Sequence, residues 1–317
     1  MLTYILFVVG FVVLIKGADY LVEGSSSLAK RWGLSPLFIG LTVVAFGTSM
    51  PEFFITAVAS IKGETSLIIS TILGSNILNI LLILGTVALI KPLTVNNSTV
   101  TRELPLSLLA IIILGVLVND NIFNSQTGNF LSRGDGLVLI SFFIIFLYHV
   151  ASVRHLDGRN IPIKEYRNKL SYLMIIGGSL GLVIGANWIV NGASFIAQSL
   201  GFTETFIGLT ILALGTSLPE LAASSVAAYK GKTDIAIGNV VGSNIFRIFW
   251  VLGISALIRP VNFSLDLNID IIILILATIA LLAALFVDQK KTLQRWEGYT
   301  FILFYLIYLV FLVNRGI

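Results

Sequence analysis

The residues best suited to chemistry in this chain are two acidic hexapeptides, GTSMPE at 47–52 and GTSLPE at 215–220, set 168 positions apart. Each places a proline and a glutamate behind a Gly-Thr-Ser triplet, and each interrupts an apolar run. Pro51 and Pro219 have no amide hydrogen, so the carbonyls of Gly47 and Gly215 lose their helical donor and the helix is expected to open or kink there. Hydrocarbon cannot satisfy a free carbonyl, which confines such backbone to the protein interior or to a polar cavity. Thr48, Ser49, Thr216 and Ser217 add hydroxyl oxygens beside those carbonyls, and Glu52 and Glu220 add carboxylates less than two turns away. A carboxylate at mid-bilayer costs about 3 kcal/mol, so two of them facing one another require a cation. A packing kink with a protonated glutamate explains one such motif; it does not explain hydroxyls and a carboxylate kept at both.

A second pair of segments, TILGSNILN (71–79) and NVVGSNIFR (239–247), places Ser75 with Asn79 and Ser243 with Arg247, four apart on one helical face. Gly74 and Gly242 suit close helix approach. With no cysteine in the chain, and with His149 and His155 at the end of a span and in a connector, the available ligands are oxygens. Such hard ligands suit Na⁺, Ca²⁺ or similar ions. Two glutamates carry a formal −2, which one Ca²⁺ or two monovalent ions neutralise, and exclusion of one set by the other is a route to exchange.

The elements that position these residues follow from composition. With 56% hydrophobic and only 11% charged residues, the chain lacks the charged exterior of a soluble domain, so it is read as an all-α polytopic membrane protein. Segments of about 20 apolar residues suffice to span. Ten candidates emerge, at 2–28, 36–61, 66–90, 103–118, 134–153, 170–199, 204–228, 233–258, 268–287 and 298–314. The opening MLTYILFVVGFVVLI lacks a basic leader and a cleavage site, so it is taken as the first span. The connector 154–169 carries Arg154, Arg159, Lys164, Arg167 and Lys169 and is placed in the cytoplasm. Alternation then puts Lys30, Arg31, Lys91, Arg102, Lys230, Lys232, Lys290, Lys291 and Arg295 inside as well, and leaves Lys62, Arg133, Arg259 and Arg315 outside with both termini. The net charge of +4 is thus explained by basic loops facing an anionic leaflet, with no nucleic-acid partner.

GLTVVAFGTSMPE (40–52) and GLTILALGTSLPE (208–220) agree at nine of thirteen positions, and GSNI recurs at 74–77 and 242–245 with the same offset. GAD at 17–19 answers GAN at 185–187, and Lys91-Pro92 answers Arg259-Pro260. A period this long indicates duplication of a five-span unit, giving halves 1–153 and 170–317 joined by the 154–169 linker. Five is odd, so the second copy enters from the opposite face. The result is an inverted pair, the design in which transporters bind substrate where interrupted helices of the two halves meet.

These motifs resemble the paired alpha-repeats of the calcium/cation antiporter superfamily, most closely the sodium/calcium exchanger branch of prokaryotic type. The resemblance implies Ca²⁺ expelled against inward Na⁺, with helices one and six sliding across a core bundle. It assigns cation ligands to Thr48, Ser49, Glu52, Ser75, Asn79, Thr216, Ser217, Glu220 and Ser243, with the carbonyls of Ala45 and Ala213. It also implies a monomer in the cell or inner membrane that works without a cofactor, the cations being cargo. Two departures stand out: Ser70-Thr71 where the family has Gly-Asn, and Arg247 where it carries Asp or Asn. A guanidinium has donors only and remains charged, so Arg247 is expected to bridge Glu52 or Glu220 in place of one transported cation. On span one, Lys16, Asp19 and Glu23 share a face and are read as an intrahelical pair network with a snorkelling end.

An intramembrane serine hydrolase has no His or Lys base in this core and no Gly-x-Ser-x-Gly elbow. A channel could use the same oxygens, but inverted repeats with broken helices fit alternating access better. The rival is a Ca²⁺/H⁺ or other cation/H⁺ antiporter, since burial makes Glu52 and Glu220 suitable proton carriers.

Overall fold

The computed structural model describes residues 2–65, 68–119, 129–152, 164–200, 213–287 and 291–315. Long apolar runs become helices because a helix satisfies every backbone group internally. The described helices are α1 (Leu2–Trp32), α2 (Pro36–Lys62), α3 (Ile68–Ile90), α4 (Thr99–Val118), α5 (Arg133–Ser152), α6 (Asn168–Ser199), α7 (Ala213–Thr216 and Leu218–Tyr229), α8 (Thr233–Ile258), α9 (Asn268–Val287) and α10 (Arg295–Arg315). Among the described residues nine helices are long and apolar enough to cross a membrane. The expected seventh span begins at 204, so its first part, along with most of the linker and His155, lies outside the described residues. The fourth helix starts at Thr99 rather than 103, because a wide π-helical turn over Thr99–Glu103 extends it backward.

The sequence repeat has a counterpart in the pairings of the fold. Short strands β1 (Leu93–Thr94), β2 (Phe130–Leu131), β3 (Val261–Asn262) and β4 (Thr292–Leu293) pair crosswise, β1 with β4 and β2 with β3, so each half lends a strand to the other. Asn76 donates to the carbonyl of Asn244 at 3.3 Å and Asn244 donates to the carbonyl of Asn76 at 3.4 Å, a reciprocal clasp between residues 168 apart. α1 and α6 run against one another through glycines: a Cβ on Gly17 would lie 2.8 Å from the Gly178 carbonyl oxygen, and one on Gly185 would lie 2.8 Å from that of Gly10. Backbone contact of this kind is the small-residue mode of helix association in lipid.

α3 and α8 form the buried centre, each with 78% of its apolar window enclosed, against 28% for α6 and α10. Gly40 and Gly242 let α2 and α8 touch, a Cβ at Gly242 falling 2.7 Å from the Leu41 carbonyl oxygen. At Gly74, by contrast, nothing among the described residues lies within 4 Å of such a Cβ.

Candidate functional site

The two halves open differently at their prolines. In the second, the helix breaks at Ser217 and restarts with Pro219 in its first turn, where no amide is needed. In the first, Pro51 lies inside Ala45–Lys62, and the irregular backbone is a wide π-helical turn at Gly40–Val44. Opening is therefore seen at Pro219, while the helix runs on through Pro51. Two further wide turns begin at Asn79 and at Arg247, again 168 apart, and wide turns of this sort concentrate at functional sites. α6 presses on both hexapeptides: a Cβ on Gly47 would meet the Ser179 hydroxyl at 2.7 Å, and one on Gly215 would meet Val190.

Glu52, Glu220 and Arg247 converge, with exposures of 4%, 0% and 0%. Arg247 donates through Nε to Glu52 Oε2 and through Nη2 to Glu220 Oε1, the latter at 2.7 Å. The guanidinium therefore joins both carboxylates at once, where the sequence left a choice of one. Ser49 of the first half donates to Glu220 Oε1 of the second at 3.4 Å. Glu52 Oε1, Glu220 Oε2, Arg247 Nη1 and Ser217 Oγ are buried and find no partner among the described residues.

A hydroxyl and amide cluster adjoins this triad. Thr48 Oγ1 lies 3.2 Å from the Ala45 carbonyl, 3.2 Å from Asn239 Oδ1 and 3.5 Å from Ser243 Oγ. Asn239 donates in turn to Ser224 Oγ at 2.9 Å and to the Glu220 carbonyl at 3.5 Å. Thr48, Ser49, Glu52, Glu220, Ser243, Arg247 and the Ala45 carbonyl are thus brought together. Asn79 turns elsewhere, donating to Asn244 Oδ1 at 2.8 Å. Ser75 is buried on α3 one turn before Asn79, while Ala213 and Thr216 form the short segment ahead of the break. Asn76, Asn239 and Asn244 carry much of the bonding and were not singled out as site residues. Two of them stand in the repeated GSNI itself, and the repetition was the available signal.

Lys16 is exposed on α1, and Asp19 and Glu23 pair across to the turn between α7 and α8 instead of along their own helix. Lys230 meets Asp19 and, at 2.9 Å, Glu23; Lys232, 5% exposed at its side chain, meets Glu23 at 3.0 Å. The intrahelical network expected there is corrected: lysines two hundred residues away in the chain are closer in space.

An inverted bundle of membrane helices, broken where two buried carboxylates meet, is the architecture of a secondary transporter that moves ions by alternating access. The family model described as sodium/calcium exchanger protein matches residues 2–151 and 170–314, and the chain belongs to that family. It is 32% identical to the sodium/calcium exchanger MaX1 of Methanosarcina acetivorans, over 98% of each chain. It is 36% identical to the inner membrane protein YrbG of Escherichia coli, over 80% of this chain and 79% of that one. Among solved structures, the sodium-calcium exchanger NCX_Mj soaked without Na⁺ and Ca²⁺ superposes with a TM-score of 0.83 at 32% identity, covering 98% of this chain and 99% of that one. The protein is an integral membrane cation antiporter, as the resemblance implied.

Proposed function

We propose that the chain exchanges Na⁺ for Ca²⁺ by alternating access, and that Glu52 and Glu220 are the carboxylates for which the two ions compete. Neutral oxygens come from Thr48, Ser49, Ser75, Asn79, Thr216, Ser217 and Ser243 and from the carbonyls of Ala45 and Ala213. The observation that carries this reading is the meeting of two buried carboxylates from opposite halves, each with one oxygen unpartnered. Oxygen ligands with formal negative charge suit hard cations, and the relatives named as sodium/calcium exchangers supply the ion pair.

In this reading α1 and α6, clamped to each other through their glycines, move together over the core formed by the other helices. The halves are 1–153 and 170–317, the 154–169 linker is cytoplasmic, both termini lie outside, and a single chain in the lipid bilayer is the working unit.

The test is ⁴⁵Ca²⁺ uptake into Na⁺-loaded proteoliposomes. An outward Na⁺ gradient drives uptake in the wild type, and Glu220→Gln reduces it to the protein-free background. Uptake that follows an imposed pH gradient and ignores Na⁺ would replace this reading with cation/H⁺ exchange.

A further inference from the structure

Among the described residues Arg247 is the largest fully buried side chain, and the side-chain bonds it makes to them go to the two glutamates on which the proposed exchange rests. Its guanidinium accepts no hydrogen bond and does not deprotonate in a protein, so it binds no metal ion and brings a permanent positive charge. The equivalent position in the first half holds the neutral Asn79, which bonds to Asn244. The charge therefore enters the site from one half only.

Two features set this triad apart from an ordinary structural ion pair. A guanidinium can occupy both oxygens of a carboxylate in a fork, yet here each glutamate gives it one oxygen and keeps the other buried and without a partner among the described residues. The third nitrogen is also left over. Buried polar atoms in that condition are costly unless something else binds them. The site thus has a cation in place and acceptor oxygens still open.

We propose that Arg247 is a resident counter-cation that fixes how much charge the exchanged ions carry, and so acts as the specificity-determining residue of the site. This rests on the assignment of Glu52 and Glu220 as the exchange carboxylates. Two glutamates alone sum to −2, neutralised by one Ca²⁺ or two Na⁺. With Arg247 the sum is −1, so one Na⁺ gives a neutral loaded site and Ca²⁺ gives a site with a surplus positive charge. A neutral site crosses the low-dielectric interior most easily. Na⁺ accordingly moves one ion at a time, and the Ca²⁺ half-cycle becomes the weakly binding, voltage-sensitive one.

The experiment compares wild type, Arg247→Asn, which copies the first half, and Arg247→Lys, which keeps the charge. ²²Na⁺ and ⁴⁵Ca²⁺ fluxes are measured in proteoliposomes at clamped potential. In the wild type the Na⁺ dependence is first order, with a Hill slope of about 1, and in Arg247→Asn it steepens toward about 2 as a second ion is needed. Half-saturation by Ca²⁺ tightens by at least about tenfold in Arg247→Asn. Arg247→Lys retains the wild-type order.

A second-order Na⁺ dependence in the wild type overturns the proposal whether or not any variant folds. Unchanged Na⁺ order and Ca²⁺ affinity in Arg247→Asn overturn it as well. So does a wild type that moves no ions beside an active Arg247→Asn, which would make Arg247 a lock. Failure of the underlying reading looks different: no protein, wild type or variant, then moves Na⁺ in exchange for Ca²⁺.

Discussion

Replacing Arg247 with methionine keeps most of the side-chain volume and removes the charge, leaving Glu52 and Glu220 buried at 4% and 0% exposure with no counter-charge. Breaking a buried ion pair from one side costs about 3–5 kcal/mol, because the abandoned charge stays desolvated. Two like unit charges about 5 Å apart repel by about 3 kcal/mol at an effective dielectric near 20, in the same range. At roughly 2 °C per kcal/mol for a chain of this size, the melting temperature falls by about 6–10 °C in chelated, Na⁺-free buffer. Ca²⁺ at about one hundred times its dissociation constant returns about 2.7 kcal/mol, most of the loss. Acidification of the chelated buffer also restores stability, since a proton on either glutamate removes the repulsion. Thermal unfolding in detergent, followed through the four tryptophans, provides the assay. If Arg247→Met melts with the wild type in chelator, and Ca²⁺ shifts both equally, the carboxylates do not depend on Arg247 for charge balance and the reasoning fails.

The glycine clamp between α1 and α6 gives a paired test on adjacent residues. A Cβ at Gly178 would lie 2.5 Å from the Leu21 amide nitrogen, whereas at Gly177 nothing among the described residues lies within 4 Å. Gly178→Ala is expected to destabilise by about 1–3 kcal/mol through overpacking and to slow exchange; Gly177→Ala is expected to be neutral or to stabilise by up to about 1 kcal/mol through helix propensity. Equal melting temperatures would remove the clamp as a cause. The pairs from Asp19 and Glu23 to Lys230 and Lys232 can be probed with a cysteine at the buried Ala227, because the chain has no cysteine of its own. Lys230→Gln with Lys232→Gln is expected to speed its labelling about fivefold, from ion pairs worth up to about 1 kcal/mol in all; an unchanged rate would show that the pairs hold nothing shut.

What could be read from sequence and what could not divides along physical lines. Glu52 and Glu220, and the oxygens of Thr48, Ser49 and Ser243, were legible because duplication prints nearly the same hexapeptide, and the same GSNI, twice, and because acidic groups stand out in apolar surroundings. The position of Arg247 was legible as a departure from its repeat partner Asn79. That it reaches both glutamates was not, since this depends on how helices from the two halves pack around it. The asymmetry at the prolines was hidden for a similar reason: nearly the same local sequence opens at Ser217 in one half and stays helical through Pro51 in the other. Asp19 and Glu23 were assigned to the nearest lysine along the helix, because sequence offers short-range pairs first. Their partners are more than two hundred residues away. Asn76 and Asn244 were passed over because buried amides in small-residue motifs look like packing until their bonds are seen.

The cluster joining α1 to the turn between α7 and α8 exists at one end of the molecule only. Its counterparts under the repeat, Asn187 and Asn191 on α6 with Lys62 at the end of α2 and Glu64 just beyond it, are all exposed. In a body made of two inverted copies the two resting poses would otherwise be near equals in energy. In the proposed alternating-access cycle, the four charged side chains of that cluster give one of the two poses ion pairs that the other half has no residues to match.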